Sequence, residues 1–305
     1  MIKVDDIAFV RFKAPDLDQM ETFLTDFGLT RAHREADALY MKGSGPDPFL
    51  HVTHKGEAGF AGVAFKARSL DDLNAFAKTY EAKVEALDGP GGGKVVRLTD
   101  PSGHSVELVA GRTPTKEAAT RALGAVNNAH KRTRHNEVKR VGQGPSHVVR
   151  LGHCVLNVVD FRASEAWYKE RFGFITSDEI KLSPEFALGA FLRCDRGEEP
   201  ADHHTLFLVG SGAKGFNHAA FEVADFDDLM SGHDVLKEKN YKHQWGIGRH
   251  YLGSQIFDYW KDPWGHTLEH WTDGDLLTAS WGSRDSSLPE LAGVQWGMKM
   301  PPDMG

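Results

Sequence analysis

The sequence predicts an α+β protein of four βαβββ units arranged as two paired-module halves, and three internal matches carry that prediction. Asp100-Pro-Ser-Gly-His-Ser-Val-Glu107 recurs 162 positions later as Asp262-Pro-Trp-Gly-His-Thr-Leu-Glu269. Gly59-Phe-Ala-Gly-Val-Ala-Phe65 with Leu70-Asp-Asp-Leu73 recurs 156 positions later as Gly215-Phe-Asn-His-Ala-Ala-Phe221 with Phe226-Asp-Asp-Leu229. A third match opens each half: the strand beginning Ile7-Ala-Phe-Val and its helix ending at Gly28 correspond to the strand beginning His153-Cys-Val-Leu and its helix ending at Gly173, the glycines 145 apart. The order is the same in both halves, so each half contains two units.

Each unit reads as an alternating strand, an Asp-rich turn, a helix of about ten residues and further strands. Val155, Asn157 and Val159 alternate as a half-buried strand should, and Phe161, Trp167, Tyr168 and Phe172 fit one face of the helix that follows. The expected divisions are an N-terminal two-module domain over 1–112, a partly helical linker over 113–145, a C-terminal two-module domain over 146–285 and a tail over 286–305. Within the linker, Thr115 to Arg140 is rich in Ala, Lys, Arg and His and fits a helix with a basic, solvent-facing side.

With 305 residues, 40% of them hydrophobic and 26% charged, the chain supports two ordinary globular domains. A formal charge of −7 argues against nucleic acid, whose binding rests on phosphate neutralisation. Met1 to Phe12 lacks a basic start followed by a long apolar stretch, and no later run approaches the roughly 20 apolar residues that span a bilayer. A cytoplasmic protein without membrane partners is expected. Cys154 and Cys194 are the only cysteines, which excludes a disulfide framework and a thiolate zinc site. The 16 histidines supply nitrogen ligands where sulfur is scarce, which suits Fe(II) or Mn(II).

The duplication provides an internal control. Where the second half has His153 the first has Ala8, where it has His218 the first has Gly62, and only Glu269 keeps its counterpart, Glu107. A single carboxylate does not hold a divalent ion against water. Two imidazoles and a carboxylate on three strands form a set that leaves one face of an octahedral metal open. Taken singly, each has an ordinary reading: a lone His opening a strand is more commonly a hydrogen-bonded core residue, and Glu269 beside His270 fits a salt bridge. Their joint occurrence at equivalent places in paired units favours metal ligation.

These residues make the chain resemble the type I extradiol ring-cleavage dioxygenases of the vicinal oxygen chelate superfamily, such as the 2,3-dihydroxybiphenyl 1,2-dioxygenases, over nearly its whole length. The matching segments are Leu151-Gly-His153, His218, Gly246-Ile-Gly-Arg-His250, Gly253-Ser254, Phe257-Asp-Tyr259, Asp262-Pro-Trp-Gly265 and Glu269. The resemblance implies the vicinal oxygen chelate fold and metal ligands His153, His218 and Glu269. It further implies Fe(II) in preference to Mn(II), a catechol and O2 as substrates, a homo-oligomer, and His204, His250 and Tyr259 as catalytic residues. His204 comes from Asp202-His-His-Thr-Leu; alternation through Leu206 and Leu208 favours it over His203, which remains the alternative. Phe186, Phe191, Trp245 and Phe257 are candidates for an aromatic pocket, although aromatic residues at strand spacing are more often core. No charged residue marks a substrate carboxylate, so a neutral substituted or bicyclic catechol is expected. The alternatives are a glyoxalase- or epimerase-type metalloenzyme of the same superfamily, which needs no His204, His250 and Tyr259 group, and a non-catalytic binding or resistance protein, which needs no open metal face.

Overall fold

The computed structural model describes residues 2–121 and 124–302. The first half contains two βαβββ units in succession. The first consists of β1 (Val4–Ala14), α1 (Leu17–Asp26), β2 (Thr30–Arg34), β3 (Ala38–Lys42) and β4 (His51–Lys55). The second consists of β5 (Gly59–Ala67), α2 (Leu70–Thr79), β6 (Val84–Ala86), β7 (Lys94–Thr99) and β8 (Ser105–Ala110). They form one eight-stranded sheet in the order β2-β3-β4-β1-β5-β8-β7-β6, joined by the antiparallel pair β1 and β5.

The second half repeats the plan. Its third unit is β9 (Val148–Val158), α3 (Phe161–Phe172), β10 (Ile175–Ser183), β11 (Phe186–Arg193), a short β12 (Ala201–Asp202) and β13 (Leu206–Gly210). Its fourth is β14 (Gly215–Val223), α4 (Phe226–Glu238), β15 (His243–His250), β16 (Ile256–Lys261) and β17 (Thr267–Thr272). The chain continues through β18 (Leu276–Leu277), β19 (Arg284–Ser287), α5 (Leu288–Leu291) and β20 (Val294–Gly297). The ten-stranded sheet runs β19-β10-β11-β13-β9-β14-β17-β16-β15-β20, and β12 pairs with β18 apart from it.

Local chemistry explains why the helices begin where they do. Asp16, Ser69, Asp160 and Asp225 each stand in extended backbone just before a helix, and each side chain accepts a hydrogen bond from an N–H of the first turn. Gly173 ends α3 in the left-handed region at φ 70°, where a side chain would be strained. The helices cover one face of each sheet, and one apolar cluster runs through both halves, from Phe23, Phe27 and Phe65 to Tyr168, Phe172 and Phe221. The repeated Asp-Pro-x-Gly-His turns lock the halves together: His104 Nε2 lies 2.9 Å from the Asn157 carbonyl, and the ring of His266 lies 5.2 Å from that of Phe12.

Two expected divisions differ from the structure. Among its described residues the 113–145 connector forms no helix. Val126 and Val138 are exposed, so no apolar stripe is buried to support one. Instead Asn128 makes a turn, accepting from the N–H groups of His130 and Lys131 at 2.9 and 2.8 Å. Arg121 fastens the connector to the second half, donating to Asp228 at 2.7 Å and to the Pro145 carbonyl at 2.7 Å. Residues 286–302 are also no tail, because β19 and β20 form the two edges of the second sheet and α5 lies over its open face. No helix among the described residues is long and apolar enough to cross a membrane.

Candidate metal centre

Strand register brings the three expected ligands together. Ala220 of β14 pairs with His153 of β9 on one side and with Glu269 of β17 on the other, while His218 stands two residues earlier on β14. Side chains two apart on a strand share a face, so all three point into the concave side of the sheet. His153 Nε2 and His218 Nε2 lie 3.2 and 3.3 Å from the same oxygen, Glu269 Oε2, and the three donor atoms fall within 4.8 Å of one another. Glu269 is fully buried, yet neither of its oxygens accepts a well-aligned hydrogen bond. A buried carboxylate left so is costly, and a cation bound among these three atoms removes that cost. Burial pushes the Glu269 carboxyl toward the neutral form, but His153, His218 and His250 together hold it well below the usual carboxylate range, so the anion is available as a ligand. Burial also lowers the His153 pKa, leaving a neutral imidazole able to donate its lone pair. The residues therefore fit a mononuclear divalent cation.

The other expected site residues surround this group. Tyr259 of β16 is the register partner of Glu269, and its hydroxyl lies 2.9 Å from His250 Nε2 at the end of β15. Burial raises the Tyr259 pKa well above the ordinary phenol value and lowers that of His250. Phe257 stacks on His250 at 3.9 Å and Trp245 on Tyr259 at 5.4 Å, fixing both side chains.

His204 lines the pocket, its ring 4.0 Å from that of His153, whereas His203 turns away to Asp178. The alternation used to choose between them does not hold. Leu206 and Leu208 face the main core, and it is Phe207 and Val209 that line the pocket. Residues 203–205 belong to no strand, and this break in the chain resets the side-chain direction and turns His204 inward.

Asp178 is a residue that the sequence reading missed. Its Oδ2 lies 2.6 Å from His203 Nε2, its Oδ1 accepts from Ser286 Oγ at 2.8 Å, and His203 Nδ1 lies 3.1 Å from His204 Nδ1. A carboxylate only accepts, so His203 donates from Nε2 to Asp178; with His203 Nδ1 as the acceptor of the 3.1 Å contact, the His204 proton lies on Nδ1 and its Nε2 is able to accept one. Burial, then the neighbouring His153 and His203, push the His204 pKa well below the ordinary value, which keeps it neutral. The available signal was an Asp inside the strand Ile175-Thr-Ser-Asp-Glu-Ile180, where a charge is unexpected unless it is paired.

The cavity above these groups has a volume of about 370 Å³. Its walls are Val155, Leu188, Phe191, Phe207, Leu252 and Trp245, closed on one side by Leu288, Leu291 and Met300 from the C-terminal segment. Among the described residues that line it there is no Lys, Arg, Asp or Glu; Glu269 is fully buried next to His153 and His218 and does not reach the lining. Of the four expected aromatic residues, Phe191 and Trp245 line the cavity and Phe257 is buried behind His250. Phe186 is 58% exposed at the outer end of β11 and lies outside it, because its side chain falls on the solvent side of the strand edge.

Comparison with known proteins agrees with this geometry. Residues 150–270 match the model of the Glyoxalase/Bleomycin resistance protein/Dioxygenase superfamily, a span holding all six expected site residues. The chain is 29% identical to metapyrocatechase 2 of Cupriavidus necator, covering 98% of this chain and 90% of that one. It is 26% identical to an iron-dependent extradiol dioxygenase of Rhodococcus jostii, covering 99% and 100%. Among solved structures, homoprotocatechuate 2,3-dioxygenase from Brevibacterium fuscum superposes with a TM-score of 0.80 at 18% identity over 99% of this chain and 92% of that one. A Mn(II)-bound glyoxalase from Novosphingobium aromaticivorans superposes with 0.79 at 22% identity over 100% and 94%. With its duplicated βαβββ units and the matched second half, the chain is similar to the glyoxalase, bleomycin resistance protein and dioxygenase superfamily.

Proposed function

We propose that this protein opens the ring of a catechol beside its two hydroxyl groups with O2, at a mononuclear Fe(II) held by His153, His218 and Glu269. The observation that carries the reading is the fully buried Glu269 carboxylate, without aligned hydrogen bonds, facing two imidazoles on the floor of an apolar cavity. The curated relatives are named extradiol and meta-cleavage dioxygenases, which supports the same class, and one is named iron-dependent, which favours iron over manganese.

Fe(II), when bound, would gather both catechol oxygens and O2 on one centre and so remove the entropy of a three-body encounter. The remaining chemistry belongs to side chains. His204 Nε2 accepts a proton from the substrate hydroxyl and returns it later in the reaction, while Nδ1–H stays bonded to His203. Tyr259 keeps its phenolic proton, because burial raises its pKa, and so serves as a hydrogen-bond donor to the second substrate oxygen beside His250. The apolar walls exclude water from the reacting ring. Both atoms of O2 end in the ring-opened product, so no external reductant is required.

The same walls favour the substrate class. A cavity without a cationic side chain among the described residues that line it disfavours a substituent carboxylate, so 3-methylcatechol or biphenyl-2,3-diol fits better than 3,4-dihydroxyphenylacetate. The test is oxygen uptake by the iron-loaded protein with these three compounds. Uptake is expected with the first two and weak uptake with the third. Absence of uptake with every catechol, with isomerase activity present, would assign the chain to the glyoxalase type instead.

A further inference from the structure

A second group of metal-ligating side chains lies behind the catalytic sheet, and none of the chemistry above uses it. It consists of His233 from the middle of α4, His243 at the start of β15 and Asp258 from β16, with one donor atom of each within 4.8 Å of the others. Side chains alternate along β16: Phe257 and Tyr259 face the substrate side, while Ile256, Asp258 and Trp260 face α4. Asp258 is completely buried, with His233 Nδ1 at 3.1 Å from Oδ2 and His243 Nε2 at 2.8 Å from Oδ1. The indole N–H of Trp260 donates to Oδ2 at 2.6 Å. The two imidazoles remain 14% and 27% exposed, so an ion has an approach from solvent.

We propose that His233, His243 and Asp258 form a second divalent-cation site of the zinc type, separate from the catalytic centre. Two imidazoles and a carboxylate with no thiolate form a nitrogen and oxygen set that zinc accepts in tetrahedral geometry, water taking the fourth position. Zinc bonds of roughly 2.0–2.1 Å place neighbouring donors about 3.3 Å apart. His233 and His243 approach different oxygens of the Asp258 carboxylate, at 3.1 and 2.8 Å, and one donor of each residue lies within 4.8 Å of the others, so the donors must move by at most about 1.5 Å to share one ion. The Trp260 N–H orients the carboxylate from outside, the usual role of a second partner to a metal-bound oxygen.

The position gives the site a consequence. Asp258 immediately precedes Tyr259 and pairs across the sheet with His270, the residue after Glu269. An ion at this place ties α4 to β15 and β16, the two strands that carry His250 and Tyr259, and it binds the folded chain only, so it raises the melting temperature.

The test uses the full chain carrying Glu269→Gln, which silences the catalytic site, compared with the same chain further changed at His243→Ala or at His233→Ala. Zinc per chain is measured by equilibrium dialysis with Zn(II) alone, and melting is followed by circular dichroism. The Glu269→Gln chain should bind one zinc that both added substitutions remove, together with the zinc-dependent rise in melting temperature. Zinc retained after either substitution overturns the proposal. So does a Glu269→Gln chain that binds no zinc, a result that needs neither histidine variant to fold. Because catalysis is silenced throughout, the outcome is independent of whether the protein cleaves catechols.

Discussion

The two halves of this molecule share one scaffold and spend the same glutamate in opposite ways. In the second half Glu269 faces two imidazoles across a cavity and accepts no aligned hydrogen bond. In the first half Glu107 occupies the matching place on β8, but Arg11 Nε lies 3.0 Å from one of its oxygens and Arg97 Nε 3.2 Å from the other. Two guanidiniums stand where the second half offers a cation site. The concave face is also filled: Ala8 packs with Phe9, Tyr40, Phe49, Val52, Ala64 and Val109, leaving no room for substrate. Gly62, the counterpart of His218, has no space for any side chain, since a Cβ there would lie 2.8 Å from the Ser105 carbonyl. The first half is a sealed copy whose carboxylate is held by two guanidiniums, and the second is an open copy whose carboxylate faces two imidazoles.

The largest expected effect follows directly. Glu269→Gln should abolish iron retention and cut turnover by at least about a thousandfold, because an amide replaces the only protein anion at the site. Iron per chain by elemental analysis and oxygen uptake with 3-methylcatechol measure both. Full iron with undiminished turnover would mean that the open half is not the catalytic one.

His204→Ala comes next. It should keep iron and lower kcat by about a hundredfold, in the range typical of a lost general base. Asp178→Asn should act in the same direction but less, roughly tenfold, because it disturbs only the proton position on His204 through His203. If Asp178→Asn costs more than His204→Ala, the pair does not act in that order.

Much of this contrast was legible in the sequence, because duplication converts a single chain into an alignment with itself. The absent partners of Glu107 were visible as Ala8 and Gly62, and the βαβββ periodicity was visible in the repeated strand and Asp-capped helix patterns. What was not legible depended on contacts distant in sequence or on broken periodicity. Asp178 gains its meaning from His203, 25 residues away, and from Ser286, 108 residues away. The direction of His204 depends on three residues that leave the strand, where period-two reasoning has no purchase. The connector's composition suits a helix, but a helix is held mainly by an apolar face packed on the rest of the protein, and none of its described residues provides one. Residues 286–302 have no counterpart in the first half, so the repeat could not show that they close the cavity.

Glu107→Gln is the complement of the first prediction. It should leave iron content and oxygen uptake within about twofold of the parent and lower stability by ~1–3 kcal/mol, since Arg11 and Arg97 lose a buried charged partner. Urea unfolding and iron analysis on the same preparation check it. Loss of iron from a folded Glu107→Gln chain would place a metal in the sealed half.

The smallest effect tests whether charges of the first half act through stability alone. Asp6 on β1 lies at the junction of the halves, its Oδ1 accepting from the Ile7 N–H at 2.8 Å, with Arg150 Nη1 3.9 Å from Oδ2. Burial raises its carboxyl to about 6 despite the opposing pull of Lys66 and Arg150. A carboxyl raised on folding holds its proton in the folded chain at pH values where the unfolded chain has released it. Its contribution is therefore fully present below the unfolded value of 3.8 and is lost as the pH rises through about 6. Asp6→Asn cannot titrate and should not share that loss. The variant should thus gain on the parent between about pH 4 and pH 7, by roughly 1–2 kcal/mol, somewhat less than the full linkage allows because the amide gives up attraction to Arg150. Urea unfolding of both metal-free chains across that range measures the difference, since the groups that titrate in both cancel. Oxygen uptake of the iron-loaded variant should stay at the parent value. Stability curves that run parallel from pH 4 to 7 would show that Asp6 is charged throughout, neutralised by Arg150 as an ordinary ion pair.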